Sequence, residues 1–341
     1  MPSNLKDIAQ AMVATDKGIL AADESNTTIQ DRFDTIGLKS TVETRRIYRN
    51  MLFTTEGMEK FISGIILYDE TIRQRSLDKS NTPFPELLSG RDILSGIKVD
   101  TGAHDLAGFP GEKITEGLDG LRDRLKEYRE LGASFAKWRT VITVGQNIPS
   151  EVCINANIQA LARYAAICQE GGIVPIVEPE VLMDGDHTIE RCDELTGIVL
   201  ERLYSTLREY GVLLEGTILK PSMVISGSAC REQASVEEVA RRTVNNFLRN
   251  VPPEVPGITF LSGGQSSKAA TAHLNTMNAL YDNLPWELSF SYGRALQAAP
   301  LKAWGGYPAN LVAGQKAFYH RALCNSAART GRYGADMENT V

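Results

Sequence analysis

Lysine is among the residues least often buried without a partner, yet Lys220 ends an apolar run, EGTILKPSMV from Glu215 to Val224, that reads as a buried strand. The same thing happens elsewhere. Lys137 and Arg139 sit in SFAKWRTVI, Glu178 and Glu180 in IVPIVEPEV, Asp23 in GILAADES, and Lys98 with Asp100 in LSGIKVDTG. Residues two apart share one face of a strand, so Asp23 lines up with Ile19 and Ala21, Lys137 and Arg139 with Phe135, Glu178 and Glu180 with Ile176, and Lys220 with Ile218. Each charge therefore continues an apolar interior face, and five strand ends aim at one shared mouth.

A lysine crowded by cations in a poorly solvated pocket has its ammonium form disfavoured, which frees a nucleophilic amine near neutral pH. Lys98 and Lys137 would be those cations for Lys220. A free amine adds to a ketone or aldehyde to give an imine, and the protonated imine is an electron sink for breaking or making the adjacent carbon–carbon bond. That chemistry also needs an acid/base to expel water and a carboxylate to take a hydroxyl proton, for which Glu178 and Asp23 are the candidates. Plainer readings stand beside this one. Asp23 has the position of a helix N-cap, the remaining charges suit ordinary ion pairs, and VEPE suits a turn fixed by Pro179.

LSGGQS, from Leu261 to Ser266, and SYGRA, from Ser291 to Ala295, supply a second kind of chemistry. Gly263, Gly264 and Gly293 let backbone N–H groups approach an anion, and Ser262 and Arg294 add a hydroxyl and a guanidinium. Two such turns after the last two strands suit a phosphate group. The four histidines, His104, His187, His273 and His320, are far apart and form no metal-binding pair, so a metal mechanism is poorly supplied. His187, in DGDHT, is expected in a surface loop or cap.

These side chains need a scaffold, and the chain alternates to provide one. Eight short apolar strands start near Gly18, Ile62, Leu94, Ser134, Ile173, Glu215, Gly257 and Glu287. Between them lie helical spacings such as Leu121, Leu125 and Tyr128 before Gly132, or Leu195, Val199, Leu203 and Leu207 before Gly211. Ser235 and Glu238 make a capping-box pair ahead of another helix. Strand followed by helix means a parallel sheet. Eight units without a G-x-G-x-x-G turn favour a closed (β/α)8 TIM barrel over an open doubly wound sheet, with residues 1–341 as a single domain and a short tail after about 333.

The formal net charge is −6 with a pI near 5.4, which gives no global attraction to nucleic acid or an anionic membrane surface. Five scattered cysteines without a C-x-x-C pair argue for a reducing compartment. MPSNLKDIAQ lacks the layout of a secretory signal, so the cytoplasm is expected.

KGILAADES, GIKVD, LDGLRDR, FAKWR, VPIVEPE, EGTILKPSMV, TFLSGGQS, FSYGRALQAA and LKAWGG together resemble the class I fructose-bisphosphate aldolases over nearly the whole chain. The resemblance implies reversible cleavage of fructose 1,6-bisphosphate to dihydroxyacetone phosphate and glyceraldehyde 3-phosphate through a lysine imine, without metal or cofactor. It places the Schiff-base lysine at Lys220, the cleavage carboxylate at Asp23, the imine acid/base at Glu178, its neighbouring cation at Lys137 and a second acid at Glu180. Lys98 and Ser25 match contacts to the phosphate at the aldehyde end, Thr28 stands where the family has a serine, and Arg32 matches a nearby arginine. Ser262, Gly263, Gly293 and Arg294 correspond to the other phosphate site, with Ser291 beside it and Arg139 lining the pocket. Members are commonly homotetramers and act on phosphorylated sugars. Well-known members also end in a tyrosine that exchanges a proton with the bound carbanion; here Val341 stands last, so either another group or water performs that exchange or the sequence given is shortened, and cleavage with a slow proton-exchange step is expected. Two other readings remain at this point: another Schiff-base barrel, such as a transaldolase or deoxyribose-phosphate aldolase, and a phosphosugar-binding scaffold on a barrel that has lost activity.

Overall fold

Short runs of apolar and β-branched residues become strands because such side chains pack on a pleated, buried surface. The computed structural model describes residues 4–339. In chain order the strands are β1 (Gly18–Ala22), β2 (Ile62–Leu67), β3 (Leu94–Lys98), β4 (Gly102–Asp105), β5 (Lys113–Glu116), β6 (Phe135–Ile142), β7 (Val174–Val181), β8 (Ile218–Leu219), β9 (Gly257–Phe260) and β10 (Glu287–Tyr292). Eight of them close a parallel barrel in the order β1-β10-β9-β8-β7-β6-β3-β2. These are the eight strands expected from the sequence. The other two, β4 and β5, form a separate antiparallel pair that the sequence reading did not anticipate.

The helices are α1 (Leu5–Met12), α2 (Asn26–Asp34), α3 (Val42–Phe53), α4 (Asp69–Ile72), α5 (Phe84–Ser89) and α6 (Leu121–Glu130) in the first half. In the second half come α7 (Glu151–Glu170), α8 (Ile189–Glu209), α9 (Val236–Asn250), α10 (Ser267–Leu280), α11 (Arg294–Trp304) and α12 (Leu311–Arg329). Ser235 caps α9 by accepting a hydrogen bond from the Glu238 N–H at 3.2 Å.

Strand parity sorts the core in two. Leu20, Ala22, Trp138, Val177 and Leu219 face outward into the large layer beneath the helices. Ile19, Ala21, Ile66, Phe135, Ile176 and Ile218 face inward, where Ile8, Ala9 and Met12 of α1 join them and close the amino end of the barrel. The Phe135 ring fills space left by Gly96, where an added Cβ would stand 2.1 Å from the ring. With α1 packed into its amino end, the barrel opens, among the described residues, at the carboxyl ends of its strands, where the charges lie.

Beyond α12, the Tyr333 hydroxyl donates to Glu338 at 2.8 Å and Glu338 pairs with Arg321 at 2.5 Å. Val341, the last residue of the sequence, lies outside the described residues.

Candidate active site

Three residues separate the end of β1 from the start of α2, and the one that caps α2 is Ser25, whose Oγ accepts from the Thr28 N–H at 3.4 Å. The N-cap reading of Asp23 therefore fails. Free of that duty, the Asp23 carboxylate stands 2.8 Å from Lys137 Nζ. Lys137, from β6, also lies 3.4 Å from Glu178 Oε2 and 4.0 Å from Asp100 Oδ2. Glu178, from β7, offers its other oxygen to Lys220 Nζ at 3.3 Å. Lys220 follows β8 directly, and its N–H donates to the Val177 carbonyl at 2.8 Å, which fixes the backbone that carries the amine.

The remaining charges pair at the edges. Lys98 Nζ meets Asp100 Oδ1 at 2.6 Å, and Arg139 Nε donates to Glu180. Four cations (Lys98, Lys137, Arg139, Lys220) thus face four carboxylates (Asp23, Asp100, Glu178, Glu180), and the cluster balances. Sequence reasoning surrounded Lys220 with the cations Lys98 and Lys137. In the structure both are matched by carboxylates, and the group in contact with the Lys220 amine is Glu178.

Burial alone would push the Asp23 carboxyl up, but Lys137, Lys220 and Lys98 together outweigh it and hold it far below the usual carboxylate range. For Lys137 burial works against the ammonium, and Asp23, Glu178 and Asp100 reverse that and push it well above the ordinary lysine value. Both groups therefore stay ionised across the physiological range.

A cavity of about 940 Å³ covers this cluster. The hydroxyls of Thr27 and Thr28 gather around Ser25 Oγ at 2.9 and 3.1 Å at the first turn of α2, and Ser25, Thr27, Thr28 and Lys98 line the cavity. Ser262, Gly263, Ser291, Gly293 and Arg294 line it as well. Arg294 donates to the Gly263 carbonyl and so ties the two turns together, and Gly263 takes φ +55, which favours glycine. The buried Ser291 hydroxyl has no hydrogen-bond partner among the described residues, which leaves its O–H free to donate to an anion.

Of the residues singled out from the sequence, Gly264 alone does not line this cavity; its N–H points at the Met183 sulfur at 3.0 Å. Arg32 reaches Glu24 and lies against Gly293, on the Arg294 side of the mouth, apart from the Ser25 hydroxyl that shares its helix. His187 corrects an expectation: it lies in the loop before α8 but is buried, with neither ring nitrogen hydrogen-bonded among the described residues. Asp100, Glu24, Arg73 and Arg124 also line the cavity and were not chosen from the sequence. Asp100 carried a signal in its parity with Lys98. The two arginines lie on the helical side of the mouth and carried none. No cluster of three or more His, Cys, Asp or Glu suited to a metal occurs among the described residues, and none of the helices among them is long and apolar enough to cross a membrane.

Comparison with known proteins gives a consistent result. The family described as "Fructose-bisphosphate aldolase class-I" matches residues 4–341. A "Probable fructose-bisphosphate aldolase class 1" of Xanthomonas campestris is 57% identical over 330 residues, covering 96% of this chain and 98% of its own. A "Fructose-bisphosphate aldolase" of Dictyostelium discoideum is 51% identical, covering 95% and 91%. A crystal structure of the Plasmodium falciparum fructose-bisphosphate aldolase, in complex with TRAP and a small molecule inhibitor, superposes with TM-score 0.95 at 47% identity, covering 98% of this chain and 96% of that one.

Proposed function

From the premise that the chain belongs to the class I fructose-bisphosphate aldolase family, we propose that Lys220 forms the imine, that Glu178 handles its protons, and that Asp23 takes the proton whose departure breaks the carbon–carbon bond. The reaction is the reversible cleavage of fructose 1,6-bisphosphate to dihydroxyacetone phosphate and glyceraldehyde 3-phosphate, a carbon–carbon lyase reaction.

Supporting this reading is one continuous line of contacts, Lys220 to Glu178 at 3.3 Å, Glu178 to Lys137 at 3.4 Å and Lys137 to Asp23 at 2.8 Å. Glu178 accepts a proton from the Lys220 ammonium, the freed amine adds to the ketose carbonyl, and Glu178 then protonates the leaving hydroxyl so that water departs. The iminium draws electrons from the neighbouring bond as Asp23 removes the substrate's hydroxyl proton. Aldehyde leaves, the enamine is protonated at carbon, and water releases the ketose phosphate. Lys137 keeps Asp23 ionised, and the bound hydroxyl must compete with Lys137 for that carboxylate. Glu180 holds Arg139 at the pocket wall.

For the substrate's phosphates, Ser25, Thr28 and Lys98 take the aldehyde end, and Ser262, Gly263, Ser291, Gly293 and Arg294 take the other, with Arg32 reaching across. Family membership implies a Schiff-base lysine without metal, and full turnover in excess chelator is the corresponding expectation. The proposal extends to one barrel domain over 1–341, a homotetramer and a cytoplasmic location; sedimentation and cell fractionation test the last two.

The decisive experiment incubates the protein with dihydroxyacetone phosphate and borohydride and locates the reduced adduct by peptide mass. Adduct on Lys220 is expected. Label on another residue, or none, overturns the assignment. Asp23→Ala should still trap adduct but no longer cleave.

A further inference from the structure

Glu24 follows the cleavage carboxylate in sequence; it reaches the rim of the same cavity, but its carboxylate pairs with residues of the surrounding helices. It continues the outward face of β1 after Leu20 and Ala22, into the layer where Phe33, Tyr48 and Trp304 pack ring against ring. A carboxylate there is costly unless it is paired and hydrogen-bonded. Glu24 is 7% exposed and meets two guanidiniums. Arg49 of α3, itself buried, stands 2.5 Å from Oε2, and Arg32 of α2 donates to Oε1. Gln297 of α11 completes the cluster: its Nε2 donates to Glu24 Oε1 at 2.8 Å and to the Ala21 carbonyl at 2.7 Å.

The position of Gln297 gives the cluster its meaning. It lies in the first turn of α11, its N–H donates to the Gly293 carbonyl at 3.0 Å, and that turn begins with Gly293 and Arg294 at the phosphate end of the cavity. One carboxylate therefore joins the β1 rim, on which Asp23 stands, to the helix start that anchors substrate, and joins both to α2 and α3.

We propose that Glu24, held by Arg49 and acting through Gln297, is a positioning residue that keeps Asp23 in register with the phosphate-anchored substrate. The proposal rests on the roles assigned to Lys220 and Asp23 above. It predicts a division between steps. Imine formation needs only Lys220 and Glu178, from β7 and β8, which the cluster does not touch; bond cleavage needs Asp23 placed against a substrate held at α11.

Glu24→Gln keeps the shape and removes the charge. Misplacement of a reacting group by about 1 Å costs roughly 100-fold, so kcat for fructose 1,6-bisphosphate cleavage should fall about 10- to 100-fold, while borohydride trapping of dihydroxyacetone phosphate stays within about 2-fold of wild type. Gln297→Leu, which adds no unpaired charge, should show the same division and serves if Glu24→Gln folds poorly. The double variant Glu24→Gln/Arg49→Met removes the two buried charges, leaves only the partly exposed Arg32, and should regain thermal stability without regaining kcat. Unchanged cleavage in a folded Glu24→Gln or Gln297→Leu protein overturns the proposal. So does trapping that falls as far as cleavage, or a kcat that returns with stability in the double variant. Absence of a Lys220 adduct in the wild type overturns the mechanism itself and is read separately from these comparisons.

Discussion

Replacing Lys137 by methionine keeps the length of the side chain and removes the charge at the centre of the acid cluster. At an effective dielectric constant near 20, its attraction to Asp23 at 2.8 Å and to Glu178 at 3.4 Å is about 6 and about 5 kcal/mol before desolvation. Those gross terms largely offset burial, and removing one partner of a buried pair costs about 3–5 kcal/mol net. The variant has a way out, because a carboxylate left in excess can take up a proton. Protonating a group of ordinary pKa near 3.9 costs about 4 kcal/mol at pH 7 and about 1.5 kcal/mol at pH 5, so the destabilisation is capped at those values.

The sign follows from the shifts. In wild type the lowered Asp23 contributes stability that is present above its ordinary value of 3.8 and is lost only as pH falls below it. The raised Lys137 contributes stability that is complete below 10.5 and is lost only as pH rises above it. Neither changes between about pH 5 and pH 7. In Lys137→Met a carboxylate with a raised folded pKa loses stability as pH climbs through that same window. Urea denaturation of both proteins should therefore show a stability gap that shrinks by up to about 2.5 kcal/mol from pH 7 to pH 5. A gap that is the same at both pH values would assign the loss to packing and refute the electrostatic account.

Gly96→Ala puts a methyl group 2.1 Å from the Phe135 ring and should cost about 1–3 kcal/mol or more by overpacking, seen as a lowered thermal midpoint; an unchanged midpoint would mean the barrel interior yields freely. His273 is held by burial at about 4, below its usual 6.5, while its Nδ1 lies 2.7 Å from Gln265 Oε1 in the LSGGQS turn. A depressed histidine contributes stability that is full above 6.5 and is lost as pH falls towards 4, up to about 3 kcal/mol, and His273→Gln should remove that slope from the stability–pH curve. Ser262→Ala should raise KM for fructose 1,6-bisphosphate with the Lys220 adduct still formed, since it removes a hydroxyl from one phosphate end and nothing from the imine; unchanged KM would place the phosphate elsewhere.

Parity made the barrel interior readable. Phe135 with Lys137, and Ile176 with Glu178, fall on one face because the strand period is fixed by backbone geometry, and the structure honours it at every charged strand end. Parity could not say which opposite charge each residue would meet, because ion pairs form between strands whose neighbours are set by barrel closure. Hence Lys220 was expected among cations and meets Glu178. Asp23 and Ser25 both suit a helix cap, and the choice depends on where the chain turns, which local sequence leaves open. The β4–β5 hairpin was hidden because its strands are only four residues long and the loop between them holds Gly108, Pro110 and Gly111, which reads as irregular chain. Glu24 was passed over for a related reason. A charge there carries no sign of the arginines of α2 and α3, or of the glutamine of α11, that the fold brings to it.

The helix that closes the amino end of the barrel makes the cavity a well with one opening. No route leads through the barrel, so substrate and both products share a doorway. The order of departure then follows from what is tethered. Under the roles proposed for Lys220 and Asp23, the aldehyde fragment is held by its phosphate contacts and by no covalent bond, so it can back out while the other triose is still attached to Lys220. With Lys220 in its proposed role, a single doorway and one covalent bond suffice to order the release of products, without a moving gate.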